Sequence, residues 1–355
     1  MNLNINKILE DLLKKGASDL HLTIGSKPHA RIFGKLVSLQ EYDFLTLDEL
    51  ELTLRQLLDQ QQLEIFEINK EIDFSVGLGT KARVRVNAFF QKGYPSLALR
   101  IIPFGVPKLS ELNLPSVLEY FCELRQGLIL VVGPTGHGKS TTIAAMIQRI
   151  NETRSEHIIT IEDPIEYMFS NNLSLIEQRE MYLDTYSWDI ALKSVFRQDP
   201  NIVMVGEMRD TETIDAAIKV SETGHLVFAS LHTNSASQTI ERIISAFNQD
   251  RRSEIGLLLA SALEVVISQR LVLGKDQKLY PAVEIMLASE AVKNLIRDNK
   301  TFMLDNIIST SSQVGMISLE KSLADLVNRN LVDSSEAMKY TTKPEILRRL
   351  IKEQK

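Results

Sequence analysis

The stretch GPTGHGKST at 133–141 has the glycine spacing and the lysine–serine pair that are typical of phosphate-binding loops. It matches the pattern G-x-x-x-x-G-K-[ST] through Gly133, Gly138, Lys139 and Ser140. Glycines let backbone N–H groups turn inward around phosphate oxygens, and the N-terminus of a following helix adds partial positive charge. The stretch therefore predicts a site for nucleotide phosphates. The residues expected to contact the nucleotide are Gly133, Pro134, Thr135, Gly136, His137, Gly138, Lys139, Ser140 and Thr141.

Two side chains of this loop suit a nucleoside triphosphate, so the predicted cofactors are ATP and Mg²⁺. Lys139 would reach the β- and γ-phosphates, and the Ser140 hydroxyl would bind Mg²⁺. A chance match in a glycine turn is the alternative. However, an apolar run, GLILVVG (127–133), precedes the loop and a helical run follows it, which is the context that the motif requires. His137 occupies a free position of the motif and is expected only to line the loop.

Acidic side chains follow two other apolar runs, and hydrolysis would need such groups near Mg²⁺ and the attacking water. Glu207 ends the run NIVMVGE, and the pair Glu162–Asp163 ends the run HIITIED. In open α/β sheets, ligands collect at the carboxyl ends of the strands, so these acids should share one edge with the loop. Glu207 would bind Mg²⁺, partly through water, and either acid could activate the water. Each acid could instead cap its strand or the next helix.

Two histidines bracket a further apolar run, in the stretch TGHLVFASLHTNS (223–235). His232 follows the carboxyl end of the predicted strand, which places it at the nucleotide edge as a candidate γ-phosphate contact. His225 stands at the start of the strand, about 23 Å away at about 3.3 Å per residue. The two rings therefore cannot contact the same phosphate within one subunit. His225 could cap a helix–strand turn, act indirectly or serve a subunit contact.

The pattern of apolar runs changes along the chain. Residues 1–103 show an α+β pattern, with a helix at 6–15, helical segments within 47–69 and strand-like stretches, of which Ala30 to Leu39 is one. The proline-containing segment 104–115 is interpreted as an interdomain linker. In residues 116–355, continuous apolar runs alternate with helices, which predicts a doubly wound parallel sheet, and the last 70 residues or so read as mainly helical.

Composition restricts the class of protein. The 355 residues carry a net charge of −6, which gives no support for bulk nucleic-acid binding. The single cysteine, Cys122, excludes an intramolecular disulfide and a four-cysteine zinc site. No run approaches the roughly 18 apolar residues of a membrane span, and the N-terminus lacks the apolar stretch of a signal peptide. The expected location is the cytoplasm, with access to a membrane only by docking.

Four ordered motifs resemble those of the secretion ATPases of the type II and type IV pilus group. They are the phosphate-binding loop, IITIEDPIEY (158–167), NIVMVGEMRD (201–210) and TGHLVFASLHTNSA (223–236). The N-terminal stretches GASDLHL (16–22) and ARVRVNAFFQ (82–91) are also similar. The resemblance implies an N-terminal PAS-like α+β domain, a RecA-like ATPase core with C-terminal helices, and a ring-shaped homohexamer.

The same resemblance implies roles for individual residues. Glu162 and Glu207 are the acids expected to activate water and organise Mg²⁺, and His225 and His232 are histidine-box residues. Arg83, Arg85 and Arg100 match the stretch that supplies arginine contacts to nucleotide, including contacts across a subunit boundary. From the alternation alone, Arg83 and Arg85 could equally be exposed on one face of a strand.

Within this family, three features favour the pilus retraction ATPases of twitching motility. They are the short N-terminal region, the absence of the four-cysteine module of the assembly and secretion motors, and the helix AVKNLIRD (291–298). The implied partner is the inner-membrane pilus platform protein, without direct contact with nucleic acid. The alternatives are an assembly or secretion ATPase of the same superfamily, an accessory retraction paralogue, a nucleic-acid translocase and a non-catalytic nucleotide-gated scaffold.

Overall fold

The computed structural model describes residues 3–32, 34–79, 82–103 and 105–352. The chain forms two compact units, Met1–Gly105 and Val106–Lys355. Position 104 of the predicted linker lies outside the described residues. From Val106 onward the segment 104–115 belongs to the second unit, where Leu109 is buried among apolar side chains. The boundaries 1–103 and 116–355 stay predictions.

The described part of the first unit contains one antiparallel sheet of six strands and three helices. The strand order is β3-β2-β1-β6-β5-β4. The strands are β1 (Ala17–Thr23), β2 (His29–Ile32), β3 (Lys35–Ser38), β4 (Glu71–Leu78), β5 (Ala82–Gln91) and β6 (Tyr94–Pro103), and the helices are α1 (Ile5–Lys14), α2 (Leu47–Leu57) and α3 (Gln60–Asn69). One sequence prediction was wrong: Ala30 to Leu39 is two paired strands, because Gly34 has a positive φ of 79° and the chain reverses there.

The first unit has a distinct buried and open face. Along β5 the side chains alternate, so that Val84 and Val86 are buried while Arg83 and Arg85 lie on the other face. Apolar side chains of α1 and α2 contribute to the buried face. Arg100 lies directly opposite Arg85 in the register of β5 and β6. The three arginines therefore share the open face of this sheet.

The second unit is built on a seven-stranded sheet of the order β13-β12-β7-β11-β10-β8-β9, counted over the described residues. All neighbours are parallel except β12 and β13. The strands are β7 (Gly127–Val132), β8 (His157–Glu162), β9 (Leu175–Glu180), β10 (Ile202–Val205), β11 (Leu226–Leu231), β12 (Leu263–Leu273) and β13 (Leu279–Leu287). The four strands predicted from continuous apolar runs are confirmed, and the sheet contains β9, β12 and β13 in addition.

Helices cover both faces of this sheet, which confirms the predicted doubly wound arrangement. One buried cluster packs α5 against the sheet, and another packs α7, α8 and α9 on the opposite face. The α-helices of the second unit are α4 (Val117–Phe121), α5 (Lys139–Thr153), α6 (Trp188–Val195), α7 (Thr211–Glu222), α8 (Ala236–Ser245), α9 (Gln249–Ala262), α10 (Glu290–Arg297), α11 (Leu304–Thr310), α12 (Leu319–Asn328), α13 (Ser334–Ala337) and α14 (Pro344–Lys352). As expected, residues beyond β13 are mainly helical. None of the helices formed by the described residues is both long and apolar enough for a bilayer span.

Candidate nucleotide-binding and catalytic site

The glycine-rich loop connects the interior strand β7 to the first turn of α5. Gly133, Gly136 and Gly138 have φ angles of 149°, 79° and 79°, a region that side chains with a Cβ rarely adopt. A Cβ on Gly133 would also overlap the carbonyl oxygen of Gln269. The loop therefore needs glycine for both conformation and space, and its end coincides with the N-terminus of α5. This is the arrangement in which backbone N–H groups and the helix dipole bind phosphate.

Lys139 lies in the mouth of the loop with its ammonium inside the protein. The residue is 7% exposed, and its Nζ donates to the carbonyl oxygen of Pro134 at 3.1 Å. Burial lowers the pKa of Lys139, because it penalises the charged form, while the charge of Glu207 opposes that effect. An anion that entered the loop would restore favourable electrostatics to this ammonium. Ser140, the next residue, is half-buried in the first turn of α5.

His232 links the loop to the acid that follows β10. Its Nδ1 lies 3.2 Å from Thr135 Oγ1 and 3.4 Å from Lys139 Nζ. On the other side of the ring, Nε2 lies 3.2 Å from Glu207 Oε1. The strands that carry these residues are neighbours, since β11 lies between β7 and β10. The structure therefore brings the lysine, the histidine and the carboxylate together at one edge.

Glu207 has a second partner that the sequence reasoning did not single out. The Nε of Arg209 donates to Glu207 Oε2 at 2.9 Å, and its guanidinium lies 3.8 Å from Asp163. The hydrogen bond to Glu207 raises the pKa of Arg209. Arg209 lies in the motif NIVMVGEMRD, two residues after Glu207. That spacing, which allows both side chains to lie on the same side of an extended chain, was the signal in the sequence that could have predicted the contact. Arg209 holds the carboxylates that follow β10 and β8 near one another.

Glu162 is the buried acid of the site, at the end of β8. Its Oε1 accepts hydrogen bonds from Thr160 Oγ1 at 2.6 Å and from Gln178 Nε2 at 3.2 Å. Burial raises the pKa of Glu162 to about 7, although both hydrogen bonds act in the opposite direction. Gln178 also donates to the backbone of Tyr167, whose hydroxyl lies 2.8 Å from Thr141 Oγ1. A proton-accepting group with a pKa near neutrality suits acid–base chemistry.

The raised pKa of Glu162 predicts that wild-type stability relative to Glu162→Gln decreases as pH rises. Unfolded glutamate has a pKa of about 4.3. Between that value and about 7 the folded state keeps a proton that the unfolded state has lost, so the free energy of unfolding falls with increasing pH, by on the order of a few kcal/mol. Glutamine stays neutral throughout. Thermal unfolding measured at about pH 5 and about pH 8 should show that the melting temperature of the variant, relative to that of the wild type, is higher at the higher pH.

The control for this prediction is Glu212→Gln, which neutralises an exposed acid in the first turn of α7. Its difference from the wild type should not follow the same course. A Glu162→Gln difference that is equal at both pH values would show that the carboxyl is ionised in the folded protein across the whole range.

His225 lies at the opposite end of β11, where its ring contacts residues at the end of α7. Its Nδ1 lies 3.0 Å from the carbonyl oxygen of Val220 and 2.9 Å from Thr223 Oγ1, at the C-terminal end of α7. Its ring meets that of Phe196 edge to face, with centroids 6.2 Å apart. The ring therefore caps the turn between α7 and β11, as one of the sequence interpretations has it, and His232 is the histidine at the nucleotide edge.

Two of the three arginines predicted to contact nucleotide, Arg85 and Arg100, have acidic neighbours on their own sheet. Arg100 Nε donates to Asp19 Oδ1 at 3.0 Å, and Arg85 lies 3.9 Å from Asp73. Arg83 precedes Arg85 by two residues on the same strand. The contact of these arginines with nucleotide stays a prediction.

Sequence reasoning also missed the contacts that hold the loop from the side of β12. His137, which was expected only to line the loop, accepts a hydrogen bond at Nδ1 from the backbone N–H of Leu271 at 2.9 Å. Burial is the largest cause that lowers the pKa of His137, and the nearby cations of Arg270 and Lys139 act in the same direction. The available signal was the run LEVVISQRLVL at 263–273, which has the apolar content of a strand.

The residues present fit a nucleotide-associated Mg²⁺ rather than an ion held by protein ligands alone. Among the described residues there is no group of three or more acidic, histidine or cysteine side chains that could hold a metal. Mg²⁺ commonly takes one or two protein oxygens and completes its shell with water and substrate phosphates. The Ser140 hydroxyl and the Glu207 carboxylate are oxygen donors of that kind beside the loop.

A comparison with protein families identifies the chain. The model of the type II/IV secretion system protein family matches residues 1–303. The chain belongs to this family. The match includes the described parts of the first unit and most of the second, so both units are family features.

Relatives in the type II/IV secretion family are similar along nearly the whole chain. A type IV pilus retraction ATPase, PilT, of Pseudomonas aeruginosa is 39% identical over 97% of this chain and 99% of its own length. A twitching motility protein of Neisseria gonorrhoeae is 42% identical over 86% of this chain and 82% of its own. A solved structure of the pilus retraction motor PilT with bound ADP has a TM-score of 0.91 and 40% identity, and covers 98% of this chain and 99% of that one. The predicted fold class is thereby confirmed.

Proposed function

We propose that this protein is an ATPase motor that drives type IV pilus retraction. The observation that carries the proposal is the similarity to a retraction motor over both units at once, with a TM-score of 0.91. The chemistry is supported independently by the group formed by Lys139, His232 and Glu207 beside the glycine-rich loop. The retraction activity is proposed from the similarity to a retraction motor. The hydrolysis of ATP is proposed from the arrangement of these three residues.

The proposed site binds ATP by its phosphates. The loop N–H groups and the Lys139 ammonium bind the β- and γ-phosphates, which explains a buried ammonium with few protein partners. When bound, Mg²⁺ neutralises phosphate charge, and Ser140 and Glu207 would hold it, the latter partly through water. Glu207 orients the attacking water, and His232 contacts the γ-phosphate or the water beside it. Glu162 is the second acid. Its carboxyl, which accepts a hydrogen bond from Gln178, is a group able to hold a proton.

The proposed motor is a homohexamer whose conformation changes with the nucleotide state. ATP can shift that equilibrium only through contacts that differ between the states. The phosphate loop of the second unit and the arginines Arg83, Arg85 and Arg100 of the first would supply such contacts, including contacts across a subunit boundary. An arginine that reaches the transferring phosphoryl group only in one state would couple hydrolysis to movement.

The proposed site of action is the cytoplasmic face of the pilus machine, where the ring docks on the inner-membrane platform protein and extracts pilus subunits. No direct contact with nucleic acid is proposed, because the net charge of −6 gives no basic footprint. An assembly motor of the same superfamily is disfavoured by the single cysteine, which rules out a four-cysteine metal module.

Deletion of the gene distinguishes retraction from assembly. A cell that has lost a retraction motor continues to polymerise pili, so we expect an excess of surface pili together with loss of twitching. Electron microscopy counts the pili, and a surface-spreading assay measures twitching. Wild-type protein supplied in trans should return the number of surface pili to normal and restore twitching, whereas Lys139→Ala should do neither. Bald cells would contradict retraction and indicate assembly.

A further inference from the structure

Strand β12 extends beyond the end of its neighbour β7 and passes beside the nucleotide loop. The parallel pairing of the two strands ends at Ser268 opposite Val132, the last residue of β7. The next two residues, Gln269 and Arg270, therefore flank the loop itself. Successive side chains of a strand point to opposite faces, so these two reach different sides of the sheet. Gln269 points to the side of α5, and Arg270 points to the side of α8.

Gln269 holds both halves of the glycine-rich loop. The residue is 3% exposed. Its Nε2 donates to the carbonyl oxygen of His137 at 2.8 Å, before the helix begins, and its Oε1 accepts from Thr142 Oγ1 at 2.8 Å, within the first turn of α5. Its own carbonyl oxygen occupies the space that a side chain on Gly133 would need. One amide thus fixes the turn through which the loop N–H groups face the phosphates.

Arg270 holds the loop that carries His232. The residue is 8% exposed, and its guanidinium donates to the carbonyl oxygen of Asn234 at 2.7 Å and to Asn234 Oδ1 at 3.1 Å. Asn234 is two residues beyond His232. Ser268 Oγ donates to the same carbonyl oxygen at 3.3 Å. A third hydrogen bond, from the other terminal nitrogen to the carbonyl oxygen of Gln269 at 3.0 Å, fixes the plane of the guanidinium.

A buried guanidinium is costly unless its donors are satisfied, which makes this placement informative. Here three hydrogen bonds go to two backbone carbonyl oxygens and one side-chain amide oxygen, and none of them goes to a carboxylate. The nearby acid, Glu284, accepts from the backbone N–H of Ala236, at the start of the helix that follows Asn234. The planar fork of an arginine can serve several acceptors at once, whereas a lysine ammonium cannot reproduce that geometry.

We propose that Gln269 and Arg270 form a two-sided clamp, which positions the glycine-rich loop and the loop that carries His232 (232–235) relative to each other. Gln269 is the positioning residue for the phosphate-binding turn, and Arg270 is the positioning residue for His232. The clamp rests on the proposed ATPase function. Its two halves should have separable effects, because one acts on ground-state nucleotide binding and the other on a group used during hydrolysis.

The test replaces each half separately and measures binding and turnover. Gln269→Met, which keeps the side-chain length, should weaken ADP binding by about tenfold or more, as measured with a fluorescent nucleotide. Arg270→Lys should lower kcat by about 10–100-fold with ADP affinity and KM nearly unchanged, since small displacements of a reacting group are costly. In a His232→Ala background, Arg270→Lys should have little further effect on kcat, because the group that it positions is gone.

Two further variants separate positioning from structural damage. Arg154→Lys is the control, since the half-buried Arg154, like Arg270, donates to two backbone carbonyls, here those of Cys122 and Leu124. Arg154 also pairs with Glu156, next to the amino end of β8 and away from the glycine-rich loop. Arg154→Lys should leave kcat unchanged. If Arg270→Lys does not fold, Ser268→Ala removes only the second donor to the carbonyl oxygen of Asn234 and should lower kcat in the same direction by a smaller factor.

The proposal is overturned if Gln269→Met and Arg270→Lys lower kcat and ADP affinity in the same proportion, in step with their melting temperatures. Full additivity of Arg270→Lys with His232→Ala would equally overturn it. A wild-type protein that binds ADP without hydrolysing ATP would contradict the proposed function, but the ADP affinity of Gln269→Met would still decide the Gln269 half.

Discussion

Lys139→Ala is expected to reduce ATP turnover by about 10²-fold or more, because it removes the cation that faces the phosphates from inside the loop. The loss should appear in both nucleotide affinity and kcat, since a lysine on the β- and γ-phosphates acts in the ground state as well as in the transition state. Equilibrium titration with a fluorescent nucleotide and steady-state phosphate release measure the two quantities.

The fold should survive the Lys139→Ala replacement. The ammonium is buried and its pKa is lowered by that burial, so its removal relieves a desolvation cost, at the expense of the hydrogen bond to the carbonyl oxygen of Pro134. The melting temperature should therefore stay close to that of the wild type. Lys219→Ala is the control, because this exposed lysine of α7 pairs with Asp215 away from the loop. Normal turnover in Lys139→Ala would contradict the assignment of the site.

The nucleotide edge could be predicted from sequence because its residues follow continuous apolar strands. The carboxyl ends of parallel strands meet at one edge of a sheet, so the sequence positions of Lys139, Glu207 and His232 were enough to place them together. The same reasoning separated His232 from His225, since the two stand at opposite ends of one strand. Local pattern sufficed here because each residue takes its position from the strand immediately before it.

The residues that orient this edge could not be predicted in the same way. Gln178, Gln269 and Arg270 lie on strands whose apolar runs are interrupted by polar side chains that turn inward to the site. The interruption weakens the apolar pattern at the very positions that matter for the chemistry. Their partners lie far away in the sequence, as Gln269 and Thr142 do, and only the tertiary arrangement brings them together. Gly34 illustrates a simpler limit, since one glycine turned a single predicted strand into two.

Glu207→Gln is expected to bind ATP and retain it, with hydrolysis reduced by about 10²–10⁴-fold, the usual contribution of an acid–base group. Ground-state binding depends on the loop and on Lys139, which the replacement leaves in place. The amide is nearly the size of the carboxylate, and its oxygen can still accept from Arg209, whereas its nitrogen cannot accept a hydrogen bond from His232 Nε2 as Glu207 Oε1 does. What is lost is the negative charge that would orient water and contribute to Mg²⁺ binding.

A single-turnover experiment distinguishes trapping from weak binding. The variant is mixed with radiolabelled ATP and Mg²⁺, separated from free nucleotide, and the bound nucleotide is identified by chromatography. We expect mostly ATP on Glu207→Gln and mostly ADP on the wild type. Glu212→Gln, which neutralises an exposed acid of α7, is the control and should behave as the wild type.

The same experiment on Glu162→Gln ranks the two acids. Glu207 is in contact with His232 beside the loop, whereas Glu162 is buried against Thr160 and Gln178. On that geometry Glu207 is the acid that acts on the water and Glu162 supports it, so Glu207→Gln should have the larger effect. Wild-type hydrolysis by Glu207→Gln together with ATP retained on Glu162→Gln would reverse these roles. It would mean that the buried carboxyl, with its pKa of about 7, is the one that accepts the proton.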